Sequence, residues 1–170
     1  MNLSVRAASP DDVPEIVRIN IDSWRAAYSG LISDRYLQEL DRTAREHTWR
    51  QRLAGDPTMP TFVALGGEQV IGYCAVSAPS RDEDAPPDVA EIAAIYIDPR
   101  HWRAGAGAAL MEAALRWIRD QGSWTMVTLW VLAENDRAQQ FYRRFGFAPD
   151  GARHHLLDLR ADEIRMSLAL

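Results

Sequence analysis

Two glycines one residue apart, Gly105 and Gly107, lie between two apolar patterns of different period. Before them runs EIAAIYI, Glu91 to Ile97, an unbroken apolar stretch that reads as a buried strand. After them Leu110, Met111, Ala114, Leu115 and Ile118 recur at helical spacing. The stretch DPRHWRAGAGAALM, Asp98 to Met111, is therefore a strand-to-helix turn. Glycine lets a ligand come close to the backbone. The first turn of a helix adds N–H groups with no internal partner and a partial positive charge. That chemistry is anion binding, suited to a phosphate or pyrophosphate; a plain turn with two small residues fits the same letters. A dinucleotide fingerprint is excluded: Leu110 stands where a third small residue belongs, and Asp120 comes too early for the ribose acid. No Gly-Lys-Ser/Thr follows, which excludes a P-loop.

Other side chains invite a chemical reading. Glu91 opens an otherwise apolar strand, where a carboxylate is costly unless it has a partner or a task; a solvated charge at the strand entrance is the plainer reading. Ala138, Phe141, Tyr142 and Phe145 share one helix face, and on spacing alone Tyr142 is a packing residue. Trp24 and Tyr28 sit one helical turn apart and could line a pocket or simply pack. Asn135 or Asp136 is placed to cap the helix that follows. His47, His101, His154 and His155 lack metal-ligand spacing, so no metal is expected. The single cysteine, Cys74, excludes an internal disulfide and reads as a small buried residue. There is no Gly-x-Ser-x-Gly turn of a serine hydrolase.

The elements that must hold these residues are legible in outline. LSVRA (3–7) alternates as a strand; Ser9-Pro10-Asp11-Asp12 starts a helix that Gly30 ends; a second helix covers about Thr43 to Leu53. TFVAL and QVIGYCAVS flank Gly66-Gly67-Glu68 as a β-hairpin. Pro79 to Pro87, with Asp82-Glu83-Asp84, reads as an exposed loop. After the central strand, turn and helix come a strand at Trp124–Val131, a helix closed by Gly146, and two strands within Arg153–Leu159 and Glu163–Leu170. The 170 residues suit one domain, 1–170, with 47% apolar and 25% charged composition. A net charge of −5 and a pI near 5.3 argue against a general nucleic-acid or membrane-surface binder and suit cationic small molecules. No apolar run approaches a membrane span, and the N-terminus has no signal-peptide core, so a cytoplasmic location is expected.

These features together resemble the GNAT superfamily of N-acetyltransferases, which use acetyl-coenzyme A. The turn Trp102-Arg103-Ala104-Gly105-Ala106-Gly107 is similar to the family's Arg/Gln-x-x-Gly-x-Gly/Ala, with Trp102 as the departure. NDRAQQFYRRFGF, Asn135 to Phe147, resembles Asn-x-x-Ala-x-x-Phe/Leu-Tyr-x-x-x-Gly-Phe. The hairpin TFVALGGEQVIGYCAV and the segment SWRAAYSGLI extend the likeness to nearly the whole chain. The resemblance implies an α/β (α+β) GNAT fold, with a mixed, mostly antiparallel sheet of about six to seven strands flanked by about four helices. It implies transfer of an acetyl group from acetyl-CoA to a primary amine by direct attack. A non-catalytic acyl-CoA-binding module of the same fold is the alternative, and transfer of a longer acyl chain a third. Tyr142 becomes the general acid for the leaving thiolate. Glu91, fourteen residues before Gly105, becomes the candidate base, with a pKa expected to rise on burial. Coenzyme contacts fall to the backbone of Ile95, Tyr96 and Ile97, with the Ile95 amide facing the oxyanion, to Trp102, Arg103, Ala104, Gly105, Ala106, Gly107 and Ala108, and to Asn135. Arg100 and Arg103 are candidates to replace the donor lost at Trp102. Acceptor contacts fall to Trp24, Tyr28 and Glu91. The expected partner is a small-molecule or peptide amine, with no nucleic acid or membrane, and a homodimer is compatible with the resemblance.

Overall fold

The structure, a computed structural model, describes residues 2–56 and 58–170. One seven-stranded sheet carries the chain: β1 (Leu3–Ala7), β2 (Thr61–Gly66), β3 (Gln69–Ser77), β4 (Val89–Ile97), β5 (Met126–Leu132), β6 (Ala148–Leu156) and β7 (Ala161–Ala169). Their spatial order is β1-β2-β3-β4-β5-β7-β6. Every neighbouring pair is antiparallel except β4 and β5. The helices are α1 (Val13–Tyr28), α2 (Asp34–Gln38), α3 (Arg42–Leu53), α4 (Ala106–Asp120) and α5 (Asp136–Arg143). The fold is the expected mixed, mostly antiparallel α/β sheet, and no helix of the described residues is long and apolar enough to cross a membrane.

The two faces of the sheet are closed by different helices. Leu110, Met111, Ala114, Leu115 and Ile118 of α4 join Tyr142 of α5 and the inward residues of β2–β5 and β7 in one core. On the other face, Ile16 and Ile19 of α1 pack with Val63, Val70 and Tyr73, and Trp49 and Leu53 of α3 lean on them. Gly72 of β3 permits this closeness, since a Cβ there would lie 2.5 Å from Ile97 Cδ1 and 3.2 Å from Leu110 Cδ1.

The central parallel pair is short, and this creates the site. β4 and β5 pair only at Val89–Met126, Ala90–Val127 and Glu91–Thr128. A parallel pair joined through a crossover helix can diverge wherever nothing pairs it. Beyond Glu91, the residues Ile92 to Ile97 have β3 on one side and no strand on the other. The register against β3 passes from Ile92–Val76 to Ala94–Ala75, so Ala93 is an extra residue, a β-bulge. The bulge resets the alternation. Ala90 and Ile92 before it, and Ile95 and Ile97 after it, face α4. Ala94 and Tyr96 face α1.

Several boundaries differ from the sequence reading. β4 begins two residues earlier, at Val89, so Glu91 lies inside the strand and not at its entrance. β5 begins at Met126, leaving Trp124 in the preceding turn. β6 is Ala148–Leu156 rather than a piece of Arg153–Leu159; it contains Pro149, which an edge strand tolerates. The short helix α2 had no periodic signal because it spans only five residues.

Candidate active site

The turn after β4 is built as an anion cradle. Gly105 sits at φ +86°, a left-handed conformation that glycine adopts without strain, and it precedes the first turn of α4. The earliest intrahelical bond here runs from the Ala109 N–H to the Gly105 carbonyl at 3.1 Å. The N–H groups of Arg103, Gly105, Ala106, Gly107 and Ala108 have no acceptor among the described residues, and no side chain caps this end. Around the cradle the frame is rigid. Trp102 Nε1 donates to the Ile97 carbonyl at 2.9 Å, and Ser23 Oγ donates to the same oxygen at 2.9 Å. Asp98, wholly buried, accepts from the Arg100 side chain and backbone and from Arg18. The Arg100 hydrogen bond, aided by Arg18, pulls its pKa far below the ordinary carboxylate value against the opposing effect of burial. Trp102 therefore holds the turn. Arg100 is committed to Asp98, which leaves Arg103 and Arg137 as the nearby cations. The Arg137 guanidinium lies 3.8 Å above the Trp102 ring, and among the described residues neither arginine has a carboxylate partner. Burial and the repulsion of Arg103 hold the Arg137 pKa down, which any anion placed there would relieve.

The unpaired backbone of Ile92–Ile97 forms one lip of an open cleft between β4 and β5. Strand-like backbone of this kind binds extended ligands by adding hydrogen bonds. Tyr142, on α5, packs edge-on against Phe141 at 5.4 Å and against Phe147 at 6.3 Å. The residue is 9% exposed, and its hydroxyl has no hydrogen-bond partner among the described residues yet is not among the sealed polar atoms. Burial, with Tyr96 and Cys74 nearby, raises its pKa above the ordinary tyrosine value, so the phenol stays protonated at neutral pH. Asn135 caps α5: its Oδ1 accepts from the Ala138 N–H at 3.1 Å.

The α1 side of β4 carries an aromatic cluster. Tyr28 and Tyr96 hydroxyls are 3.1 Å apart, and Trp24 meets Tyr28 edge-on and stacks with Tyr36. Glu91 is 2% exposed and is gripped by Arg81 from the loop between β3 and β4, through both its guanidinium and its backbone N–H. Burial alone would raise its pKa, but the hydrogen bonds and charge of Arg81 outweigh burial and leave it below the ordinary glutamate value. The expected rise is thus corrected: a cation from an apparently solvated loop reverses its sign. Across the cleft, the β6–β7 hairpin contributes groups the sequence reading did not place. His154 stacks on Trp130 with ring centroids 4.0 Å apart. Glu163 lies opposite His154 and Leu132 in register. Arg165 binds Asp82, Asp84 and Asp150, tying the loop to the sheet. The only advance signal was the alternation in EIRMSLAL, which marks Glu163 and Arg165 as one face without saying what they meet.

The sequence-predicted residues thus separate into groups. Ile95, Tyr96, Ile97 and the turn 102–108 lie together along β4 and the start of α4. Tyr142 belongs to the same cluster, near Tyr96 and Tyr28. The side chain of Tyr96, however, points to the α1 side, toward Tyr28. Trp24 and Tyr28 pack in a cluster with Ile32, Leu37 and Leu132.

A sheet split beside its central strand, with a free helix start below the split, defines an acyl-CoA-transferase architecture. The family model of the acetyltransferase (GNAT) family matches residues 18–147, and the chain belongs to that family. An uncharacterized N-acetyltransferase of Bacillus subtilis is 31% identical over 78% of this chain and 73% of its own length. A probable N-acetyltransferase of Mycobacterium tuberculosis is 30% identical over 88% of this chain and 82% of its own. Among solved structures, the PaiA N-acetyltransferase of Thermoplasma acidophilum, in complex with coenzyme A, covers all of both chains with a TM-score of 0.82 at 17% identity. A ribosomal-protein-alanine N-acetyltransferase of Brucella melitensis superposes with a TM-score of 0.77 at 20% identity over 98% of this chain and 99% of its own. At these identities the structural likeness speaks for the fold.

Proposed function

We propose that the protein transfers an acetyl group from acetyl-CoA to a primary amine by direct attack on the thioester. The observation that carries this reading is the set of backbone amides without an acceptor among the described residues, those of Arg103 and of Gly105 to Ala108, below the split between β4 and β5. Free amides at a helix start suit a pyrophosphate, and the open edge of Ile92–Ile97 suits an extended arm leading toward Tyr142. The Ile95 amide is our choice of donor to the carbonyl oxygen as negative charge builds there. Arg103 and Arg137 supply positive charge for the phosphates. Asn135 acts through its cap, which fixes the end of α5 that carries Tyr142.

An amine with a pKa of about 10.4 arrives protonated and must lose a proton to attack. The thiolate that leaves, of pKa about 8.5, is a tolerable leaving group. Tyr142, kept protonated by burial, donates its hydroxyl hydrogen to the departing sulfur. Its raised pKa makes complete transfer uphill until the sulfur has left, so hydrogen bonding comes first and the proton follows. Glu91, ionised at neutral pH, orders the acceptor side together with Arg81. The aromatic wall of Trp24, Tyr28 and Tyr96 suits an amine attached to an apolar or aromatic body. The same fold used as a non-catalytic coenzyme-binding module lacks a reason for a protonated phenol opening onto the cleft. The test is thiol release from acetyl-CoA against a panel of primary amines. Turnover with any of them supports the enzyme; coenzyme binding with no turnover on the panel supports the module.

A further inference from the structure

The carboxylates around the acceptor side differ in what holds them. Glu91 is held by Arg81, and Asp82 by Arg165 at 3.2 Å with Trp130 Nε1 at 2.8 Å. Asp162, on the opposite face of β7, pairs with His155 at 2.6 Å and Arg153 at 3.8 Å. Glu163 is the exception. Its side chain is 20% exposed and has no guanidinium partner among the described residues; the nearest basic side chain is His154, whose Nδ1 is 3.7 Å away, beyond a hydrogen bond. Register explains where it points. Glu163 sits opposite Leu132 at the top of β5, on the face that carries Trp130 and Arg165 and not the face of Ile164 and Met166, which enter the core. That level lies across the split from the Ala94–Tyr96 end of β4. Charges from every surrounding element act on it or feel it: His154 from β6, Asp82 and Arg81 from the β3–β4 loop, and Glu91 and Tyr96 from β4.

We infer that Glu163 is a catalytic residue of the acceptor half-site: it binds the incoming ammonium beside Tyr96 and takes its proton before attack. This rests on the acetyl-transfer reading above and names a base for it. The ionised Glu163 accepts one proton from the ammonium and leaves the amine lone pair free. Attack forms the C–N bond, and collapse of the tetrahedral centre breaks the C–S bond, with the electron pair leaving on sulfur. The second nitrogen proton passes to water, sulfur takes its proton from Tyr142, and Tyr142 and Glu163 re-equilibrate with solvent, so one proton is released per turnover. Two features favour this over Glu91. A carboxylate gripped by a guanidinium is a weak base, whereas burial, with Asp82 and Glu91 nearby, lifts the Glu163 pKa above the ordinary value against the pull of His154. Glu163 also accepts no hydrogen bond among the described residues, with only the His154 ring near it at 3.7 Å, while Arg81 occupies the lone pairs of Glu91.

The experiment compares the parent protein with Glu163→Gln, which keeps shape and polarity but cannot accept a proton. Phenethylamine, 1,4-diaminobutane, glycinamide and lysinamide serve as acceptors, and acetyl-CoA titration of the variant controls for folding. The same amines are also titrated calorimetrically into protein saturated with coenzyme A, which needs no turnover. Glu163→Gln should lower kcat/KM by about 10- to 100-fold at neutral pH, with partial rescue as the pH rises and more amine arrives deprotonated. Amine affinity should fall at least about tenfold and coenzyme affinity should stay within about twofold. Turnover and amine binding unchanged in the variant overturn Glu163 and leave acetyl transfer standing. Amine binding that depends on Glu163 without thiol release overturns acetyl transfer and keeps Glu163 as the ammonium site. Neither turnover nor amine binding in the parent overturns both.

Discussion

Gly107→Ala separates what the fold needs from what the coenzyme needs. Gly107 is the second residue of α4 and does not have a positive φ. A Cβ built there meets Phe141 Cζ at 3.4 Å, Phe141 Cε2 at 3.5 Å and Ile97 Cγ1 at 3.6 Å, all ordinary van der Waals distances. Nothing in the protein therefore forbids a methyl group, and glycine within a helix is less stable than alanine by about 0.5–1 kcal/mol. The variant should melt roughly 1–4 °C higher without ligand. The methyl points into the gap between the end of β4 and α5, close to the amides of Ala106 and Ala108 that have no acceptor. A pyrophosphate seated on those amides would lose contact with at least one of them, and a charged hydrogen bond contributes about 1.5–3 kcal/mol. Acetyl-CoA affinity should thus fall at least about tenfold. Differential scanning calorimetry of the free protein and titration calorimetry with acetyl-CoA read the two effects separately. Higher stability with unchanged affinity would refute the placement of the pyrophosphate on this turn. Lower stability with lower affinity would show that the methyl damages the packing of Phe141 and that the glycine serves the fold.

Three further outcomes test other parts of the site. Tyr142→Phe preserves the ring contacts with Phe141 and Phe147 and removes only the hydroxyl. Coenzyme affinity should hold while kcat falls by about 10²-fold, the low end for a general acid; a kcat within about twofold of the parent makes Tyr142 a packing residue. Glu91→Gln breaks the clamp with Arg81. Because the folded pKa of Glu91 is depressed, its contribution to stability is present above about pH 4.3 and is lost as the pH falls through the lower folded value. Urea midpoints of parent and variant should therefore differ at pH 7 and converge in acid, and parallel curves would remove the ion pair from the stability of the site. Burial pushes the Cys74 thiol up to about 12, so a disulfide reagent at pH 8 should react slowly with the native protein and rapidly in denaturant; fast native labelling would show that the core around β3 opens readily.

The sequence made legible whatever depended on residues close in the chain. The glycine-bearing turn from β4 into α4, the stripe of α4 and the Asn135 cap of α5 all follow from neighbours within a few positions, and the structure has each of them. What could not be read was set by pairings distant in sequence. The sign of the Glu91 shift depends on Arg81, ten residues away in a loop whose prolines and acids read as solvated. The place of Glu163 depends on the register of β7 against both β5 and β6, where a slip of one residue would turn it into the core and bring Ile164 to the cleft. The split of β4 from β5 also has no letter of its own, because EIAAIYI and MVTLWVL would read the same in a continuous sheet. The bulge at Ala93 determines which side chains of β4 face α4 and which face α1. It keeps Ile95 and Ile97 on the α4 side and directs Tyr96 toward Tyr28. Glu91, two residues before the bulge, occupies the same face as Tyr96, five residues on, although strict alternation would put them on opposite faces. One inserted residue thus brings a carboxylate and a phenol to the same face of β4. A deletion of Ala93 would be expected to abolish turnover while leaving the amide cradle of α4 intact.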